Sequence, residues 1–293
     1  MTERDPVRPI LGFLTFALLY YVGLMLALPI VRFLGGEMTA ITVTPLLVAA
    51  ITNALLFAMF EQKGLTSAGL DWESGALRNL LLGTGICAAC AMLVILIPVA
   101  IGMAHFESIP KPDTNWRASL FMPVLIFCGA AGEELAFRGF PLQFLMRGYG
   151  KLPAIIGIGI TFGLLHSGNE GANPLGIANT IGFGILFGFA LLRSHDLWFP
   201  IGLHFGWNAT LPYLGTELSG LTIRVVGYKL VWKVGDLWSG GKYGPEGSLL
   251  TTAVLCLLAL AIWKAPVRKC AIYLLDERDA VPPGSPPESS PVF

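Results

Sequence analysis

Two adjacent glutamates and an arginine lie in the stretch GEELAFRGF, residues 132–140, inside a long apolar run. Glu134 and Arg138 are four residues apart, so on a helix they share a face and can form an ion pair. Glu133 is rotated by about 100° from Glu134 and falls outside that pairing. We therefore expect a built-in cation to neutralise one carboxylate and to leave Glu133 available for chemistry.

Two later apolar runs carry the other side chains that could do chemistry. His166 follows Phe162 by four residues in GITFGLLHSG, and Asn208 follows His204 by four residues in LHFGWNATLPY. A carboxylate can act as a general base toward water, while imidazole and amide groups can stabilise an oxyanion. Charged groups within a membrane are costly and usually face the interior of a helix bundle. Together these residues predict a hydrolytic site in a dry cavity.

The composition that surrounds these residues is that of a membrane protein. Of 293 residues, 54% are hydrophobic and 13% are charged, whereas soluble domains carry about 25% charged residues. A helix needs about 20 apolar residues to cross the hydrocarbon core. The sequence therefore predicts an all-α polytopic membrane helix bundle of about eight transmembrane helices, at about residues 10–34, 40–60, 80–103, 118–140, 152–168, 174–193, 197–213 and 248–265.

The four middle segments are richer in glycine and in polar residues, so we expect them to form the interior of the bundle. Two glycine pairs in them, Gly159-x3-Gly163 and Gly184-x3-Gly188, have the spacing that lets membrane helices approach closely. The CxxC pair that begins at Cys87 lies in a continuous apolar run. We interpret that pair as buried small side chains rather than a metal or redox site.

We divide the chain into a cytoplasmic N-terminal tail (1–9), a membrane-embedded domain (10–265, with the candidate site residues in 118–213) and a cytoplasmic, largely disordered tail (266–293). The last of these is rich in proline and serine, which is typical of disorder. The connection 214–247 mixes Trp232, Trp238 and Tyr243 with lysines, a composition suited to the membrane interface. The net charge is zero, so no nucleic-acid partner is expected.

Orientation follows from the distribution of lysine and arginine, because cytoplasmic loops carry an excess of both. With eight spans, 12 of the 19 basic residues fall on the side of the chain termini. They are Arg4, Arg8, Lys63, Arg78, Arg138, Arg147, Lys151, Arg193, Lys264, Arg268, Lys269 and Arg278. We expect both termini in the cytoplasm and the chain in a bacterial inner membrane, with membrane lipids around it.

Three motifs follow one another on successive predicted helices: EExxxR from Glu133, FxxxH ending at His166, and HxxxN from His204 to Asn208. This order resembles the CPBP (Abi) family, which includes type II CAAX prenyl endopeptidases and bacteriocin-processing or self-immunity proteins. The resemblance covers roughly residues 118–213. It implies an eight-helix intramembrane endopeptidase that cuts a membrane-associated peptide or protein, which we expect to enter from the membrane or from the cytoplasmic face.

The resemblance also implies roles for the motif residues. Glu133 and His166 would activate the hydrolytic water, and His204 and Asn208 would hold the oxyanion. The paired Glu134 and Arg138 would support the site. Phe137 and Phe140 would help to keep the cavity apolar.

Three alternatives stay open at this stage. The family is conventionally described as metalloproteases, and two histidines with a glutamate could bind zinc; however, no HExxH is present, and we favour a metal-free, glutamate-activated water. A non-enzymatic bacteriocin-immunity or scaffold protein would use the same fold to bind a partner. An ion-coupled transporter would also place charges in the membrane, although no inverted repeat is visible.

Overall fold

The structure is a computed structural model that describes residues 7–72, 75–109 and 116–270, together with 272 and 275. Within this part the chain is mostly helical, in agreement with a membrane helix bundle. Five of its helices are long and apolar enough to cross a membrane: Val7–Glu61, Ala76–Ala100, Ser119–Tyr149, Lys151–Gly168 and Pro174–Ser194. A shorter apolar helix is Leu249–Lys264. The count of eight spans stays a prediction.

The first helix, α1 (Val7–Leu56), is a hairpin of two arms. Its backbone leaves the helical region at Gly36, where φ is +78°, a conformation that glycine adopts without steric cost. The arms pack so that Gly23 faces the Val48 side chain. Arg32 Nε lies 2.7 Å from Glu37 Oε2 at the turn. The predicted segments 10–34 and 40–60 are these two arms.

The other helices follow in the predicted order. They are α2 (Ala76–Ala100), α3 (Trp116–Arg138), α4 (Phe140–Tyr149), α5 (Lys151–Leu165), α6 (Pro174–Ser194), α7 (Trp198–Tyr213), α8 (Asp236–Ser239) and α9 (Leu249–Lys264). Asn53 of α1 fixes the break between α3 and α4, since its Oδ1 accepts from the Phe140 backbone at 2.6 Å and its Nδ2 donates to the Leu135 carbonyl at 3.0 Å. The motif residues of α3 therefore lie immediately before a buried helix end.

The predicted glycine pairs do bring α5 and α6 together. A side chain at Gly184 would meet the backbone of Gly159, and one at Gly163 would meet Ile181. Such close approach of two backbones is the usual result of small residues one turn apart in membrane helices.

A second interface of small residues, between α2 and α7, was not identified from the sequence. Gly202 and Gly206 of α7 face the backbone of Leu80 and Thr84 of α2. The buried Cys87 lies one turn further along α2, as interpreted for the CxxC pair. α2 thus packs one face closely against α7, while its other face is exposed at Leu81 and Ile97.

A small antiparallel sheet adds strands that the all-α prediction did not contain. β1 (Ala104–Ser108) pairs with β2 (Tyr228–Trp232), and Phe106 lies opposite Leu230. β2 belongs to the long connection between α7 and α9, residues 214–248, which we call the cap. The sheet thus ties the cap to the segment that follows α2.

The cap is packed onto α6 rather than lying loosely at the membrane surface. Tyr243 is fully buried, and its hydroxyl lies 3.1 Å from Thr180 Oγ1. Asn179 Nδ2 donates to the backbone carbonyls of Glu246 and Ser248, at 2.8 and 3.0 Å. The interfacial interpretation is therefore wrong for Tyr243, although Trp238 is 38% exposed.

The start of the predicted C-terminal tail packs against α2 and α6. The Arg268 backbone and the Asn79 side chain exchange two hydrogen bonds, of 2.7 and 2.9 Å. Cys270 N donates to the Ser194 carbonyl at 2.9 Å. Most of the predicted disordered tail 266–293, and most of the N-terminal tail 1–9, lie outside the described residues.

Candidate active site

The structure brings the six predicted site residues to one place. Glu133, His166, His204 and Asn208 line a cavity of about 370 Å³. The other two, Glu134 and Arg138, lie behind its wall with fully buried side chains. Three elements supply these residues: α3, the end of α5 and α7. α6 lies behind them, where its Gly184 carbonyl accepts a hydrogen bond from Arg138.

The predicted ion pair is present and belongs to a larger buried network. Arg138 Nη1 donates to Glu134 Oε1 at 3.1 Å, and Nη2 donates to the Gly184 carbonyl at 2.9 Å. The guanidinium lies 4.6 Å from the centre of the Phe162 ring, within the range of a cation–π contact. Glu134 Oε1 also accepts from His204 Nδ1 at 2.8 Å. A charged pair on α3 thereby orients a histidine on α7.

Glu133 faces the other way, into the cavity. Its Oε2 lies 3.9 Å from His166 Nε2 and 3.8 Å from His204 Nε2, too far for direct hydrogen bonds. This oxygen has no hydrogen-bond partner among the described residues, while the side chain is 35% exposed. Partners of one water molecule, each about 2.8 Å from it, can lie up to about 5 Å apart. The gap between the three groups is therefore wide enough for a water.

His166 is oriented by the backbone of its own helix. α5 ends at Leu165, and His166 begins a short 3₁₀ turn, His166–Gly168. His166 Nδ1 lies 2.7 Å from the Phe162 carbonyl, so this nitrogen carries the proton and Nε2 presents a lone pair to the cavity. The four-residue spacing of the second motif thus supplies both an aromatic contact for Arg138 and a backbone acceptor for His166.

Asn208 lies one helical turn beyond His204 and lines the same cavity. The spacing predicted that the two would share a face of α7, and they do. Phe137 also lines the cavity, as expected. Phe140 does not: it is fully buried and packs on Phe57, with ring centres 5.4 Å apart. Its predicted contribution to the cavity wall is therefore wrong.

Sequence reasoning missed one carboxylate of the cavity, Glu246 of the cap. It is 6% exposed; its Oε1 accepts from Trp207 Nε1 at 3.1 Å, and its Oε2 accepts from Ser219 Oγ at 2.8 Å and from the Ser219 backbone N–H. Burial raises the pKa of Glu246, while the hydrogen bonds from Ser219 oppose that rise. A single acidic residue in a glycine-rich loop gave no motif by which it could be found.

The remaining cavity wall is mostly apolar. It includes Ile126 of α3, Phe183 of α6, and Leu218, Leu221 and Ile223 of the cap. An apolar wall of this kind suits a hydrophobic peptide segment and keeps bulk water away from the polar groups.

The donor types at the site, two imidazoles and a carboxylate, are those that zinc uses. In a tetrahedral zinc site with bonds of about 2.0–2.1 Å, neighbouring donors lie about 3.4 Å apart. Glu133 Oε2 is 3.8 and 3.9 Å from the two imidazole nitrogens, and no group of three potential ligand residues in the described part of the chain forms a metal site. As placed, the residues do not fit a bound zinc ion.

Comparison with known proteins identifies the segment that carries the site. Residues 114–210 match the family described as Type II CAAX prenyl endopeptidase Rce1-like. No curated protein matches the chain significantly. The matched segment is about a third of the chain and contains all six predicted site residues. The resemblance indicated by the three motifs is thus confirmed over this segment, which is similar to a CAAX-type protease family.

Proposed function

We propose that this protein is an intramembrane endopeptidase in which Glu133 activates a water molecule for attack on a peptide bond. One observation carries the proposal. The Glu133 carboxylate lies in a largely apolar cavity, faces two imidazole groups at 3.8 and 3.9 Å, and has an oxygen to which no residue of the described part of the chain is hydrogen-bonded. A carboxylate without a protein partner in such a place is suited to act as a general base.

The chemistry requires only groups of this chain and one water. Glu133 accepts one proton of the water, whose other O–H donates to His166 Nε2, as the water oxygen attacks the substrate carbonyl carbon. In its doubly protonated form His204 donates Nδ1–H to Glu134 and Nε2–H to the developing oxyanion, with Asn208 as the second donor. Glu133 then passes the proton to the leaving nitrogen as the C–N bond breaks.

The Glu134–Arg138 pair has a positioning role in this proposal. It holds His204 from behind, because Glu134 accepts from both Arg138 and His204. Arg138 is in turn fixed to α6 through the Gly184 carbonyl. One network thus sets the relative positions of α3, α6 and α7 around the reacting groups.

For location, we propose a bacterial inner membrane with both termini in the cytoplasm, and a membrane-associated peptide or protein as substrate. The apolar helices support an integral membrane protein. The excess of basic residues on the side of the termini, 12 of 19, supports the orientation. The proposed protease domain is 10–265.

The test is to map new peptide termini in the membrane fraction of cells that express the wild type, Glu133→Gln or Glu107→Gln at matched levels. Glu107 is exposed on β1 and serves as the matched control. We expect termini that require Glu133 and persist in Glu107→Gln. If the two variants give the same termini as the wild type, the hydrolytic proposal fails, and the non-enzymatic immunity or scaffold function or ion transport becomes the better explanation.

Metal removal tests the mechanism separately. We expect that a strong zinc chelator leaves the cleavage rate of the purified protein unchanged, because each motif residue has a role without a metal ion. The same treatment of a known zinc protease controls for chelation. Loss of cleavage that added zinc restores would contradict the metal-free mechanism and would require Glu133, His166 and His204 to move closer together.

A further inference from the structure

The cap contains a tight turn beside the cavity of the candidate active site. Leu218 and Leu221 exchange two backbone hydrogen bonds, of 2.9 and 2.7 Å. Between them, Ser219 and Gly220 have φ angles of +47° and +86°, which is the conformation of the central residues of a type I′ hairpin turn. Leu218, Ser219 and Leu221 all line the cavity. A hairpin therefore begins at the cavity wall.

The chain that leaves this turn has the pattern of a strand but has no partner strand. Thr222 and Arg224 are exposed, whereas Ile223 and Val225 are 8% and 5% exposed. This alternation has the two-residue period of an extended strand. Within the described part of the chain, the backbone groups of Thr222, Ile223 and Arg224 form no hydrogen bond. We call residues 221–225 the open strand.

Both ends of the open strand are anchored. At its start, Glu246 Oε2 accepts from Ser219 Oγ at 2.8 Å, and Asn169 Nδ2 donates to the Ser219 carbonyl at 2.9 Å. At its end, Ser119 Oγ of α3 donates to the Val225 carbonyl at 2.8 Å. Asn169 lies just beyond the end of α5, so the open strand is fixed relative to the candidate active site. A segment that is already held in place loses little conformational entropy when it binds a ligand.

The position of the turn decides which way the backbone groups of the open strand point. In a strand, the N–H and carbonyl groups of successive residues point to opposite edges. Leu221 uses both of its groups toward Leu218, so those of Thr222 and Arg224 point to the other edge. The side chains of Leu221 and Ile223 line the cavity. The open strand thus presents an apolar face to the cavity and, beside it, a backbone edge to which no described residue bonds.

A substrate in an apolar cavity needs such an edge. In a helix each carbonyl accepts a hydrogen bond from the N–H four residues further on, and a peptide bond that is to be cut must leave this arrangement. The backbone groups that are released then need new partners, because unpaired groups are costly away from water. An extended peptide that adds to the edge of a strand finds these partners.

We infer that the open strand binds the substrate as an added β-strand, with the backbone groups of Thr222 and Arg224 as its hydrogen-bond partners. The substrate is then an apolar segment that is extended where it is cut. The inference rests on the proposed function, because this segment is the one that the water activated by Glu133 attacks. Pairing through the backbone selects the conformation of the substrate more than its sequence.

The first test changes the substrate and leaves the protein unaltered. The probe is a synthetic peptide that spans one of the mapped Glu133-dependent cuts. A single N-methyl group is placed at each position in turn, apart from the bond that is cut, and each methyl group removes one backbone donor. The values of kcat and KM are measured with the full-length protein in detergent.

We expect KM to rise by about tenfold, the contribution of one hydrogen bond, at every second position on one side of the cut. The positions between should change little, because only alternate residues of a strand point to the same edge. Equal effects at neighbouring positions, a period of three to four residues, or no effect at any position would overturn the inference and leave the protease proposal intact.

The second test changes the open strand. Thr222→Pro removes one N–H from its unpaired edge, and we expect KM to rise by about tenfold with kcat within about twofold. Gly235→Pro, elsewhere in the cap, is the matched control. Gly235 has a φ of −71°, which proline adopts, and a Cβ atom there would meet nothing within 4 Å. Thermal unfolding of both variants shows whether they are folded.

The two tests separate the inference from the proposed function. If KM in Thr222→Pro equals KM in Gly235→Pro, the open strand does not bind substrate, although Glu133 can still be the base. The N-methyl series uses the wild-type protein, so it decides the question even if Thr222→Pro does not fold. If no terminus in cells depends on Glu133, the proposed function fails and the inference fails with it.

Discussion

Glu133 and Glu134 are adjacent in α3, yet they lie in two different regions of the molecule. Glu134 is fully buried and is bonded to Arg138 and His204. Glu133, at the preceding position, projects into a cavity, and one of its oxygens has no hydrogen-bond partner within the described ranges. The same chemical group is structural on one side of the helix and available for catalysis on the other. The two side chains point in directions that differ by about 100° of helical rotation, and this difference gives them different roles.

The largest expected effect is on activity, at the cavity side. Glu133→Gln should lower kcat/KM by about 10²- to 10⁴-fold, the usual contribution of a general base. The temperature of unfolding should stay close to that of the wild type, because few protein contacts are lost. Cleavage assays and thermal unfolding in the same detergent measure both quantities. If Glu133→Gln loses stability but keeps its rate per folded molecule, Glu133 is structural rather than catalytic, and the contrast with Glu134 is wrong.

The next effect is on stability, at the packed side. Arg138→Met leaves Glu134 buried without its cation, and loss of one partner of a buried pair costs about 3–5 kcal/mol. We expect a fall of that size in the free energy of unfolding, measured by denaturant titration in micelles.

A double variant sharpens this prediction. Glu134→Leu with Arg138→Met removes both charges and should recover much of the lost stability. Activity should remain low, because His204 Nδ1 has then lost its acceptor. Full activity in the double variant would show that the network does not position His204.

A smaller effect is expected at the cap. Glu246→Gln gives the hydrogen bonds from Ser219 a neutral acceptor in place of a carboxylate. We expect the weaker hydrogen bonds to lower kcat/KM by about tenfold. We expect the change mainly in KM, since Ser219 and its neighbours form the substrate wall of the cavity. Glu170→Gln, on the exposed turn nearby, is the matched control. An unchanged KM in Glu246→Gln would remove the cap from substrate binding.

The smallest effect on activity is expected at Asp196, a buried carboxylate remote from the cavity. It accepts from the Phe199 backbone at 3.0 Å and from Asn79 Nδ2 at 2.6 Å, and burial raises its pKa. The folded state therefore holds the Asp196 proton to higher pH than the unfolded state does. Stability falls as pH rises from the ordinary aspartate value to the raised one.

Asp196→Asn should abolish the part of the stability loss that comes from Asp196, because a neutral amide does not titrate. The cleavage rate at fixed pH should stay within about twofold of the wild type. Thermal unfolding across that pH range measures the difference, with Asp71→Asn, exposed in the loop before α2, as control. An Asp196→Asn profile parallel to that of the wild type would contradict the assignment.

The sequence was informative wherever an interaction lies within one helix. Hydropathy located the helices, and four-residue spacing predicted the Glu134–Arg138 pair and the outward direction of Glu133. Glycine spacing predicted which stretches of helix allow close approach, and the structure shows that these stretches of α5 and α6 meet. Each of these features depends only on helical geometry and local composition, which can be read over a few turns.

Contacts between distant segments could not be predicted in this way. His204 is 70 residues from Glu134, and no local spacing shows that their helices face each other. Glu246 reaches the cavity only because the cap folds back over α6. The pairing of β1 with β2 likewise depends on where the cap lies. These features arise from tertiary packing, which the periodicity of a single segment cannot predict.

The contact between Asn79 and the segment that follows α9 has a consequence for biosynthesis. Asn79 Nδ2 donates to Asp196 Oδ2 at 2.6 Å and to the Arg268 carbonyl at 2.7 Å, across 117 and 189 residues. A chain is made in order from its N-terminus, so Asn79 and Asp196 enter the membrane well before Arg268 leaves the ribosome. This polar cluster can close only after all the described helices, α9 included, have been made. A chain that stops after α9 would keep an unfinished polar cluster between α2 and the loop after α6, a target for the quality-control proteases of the cell.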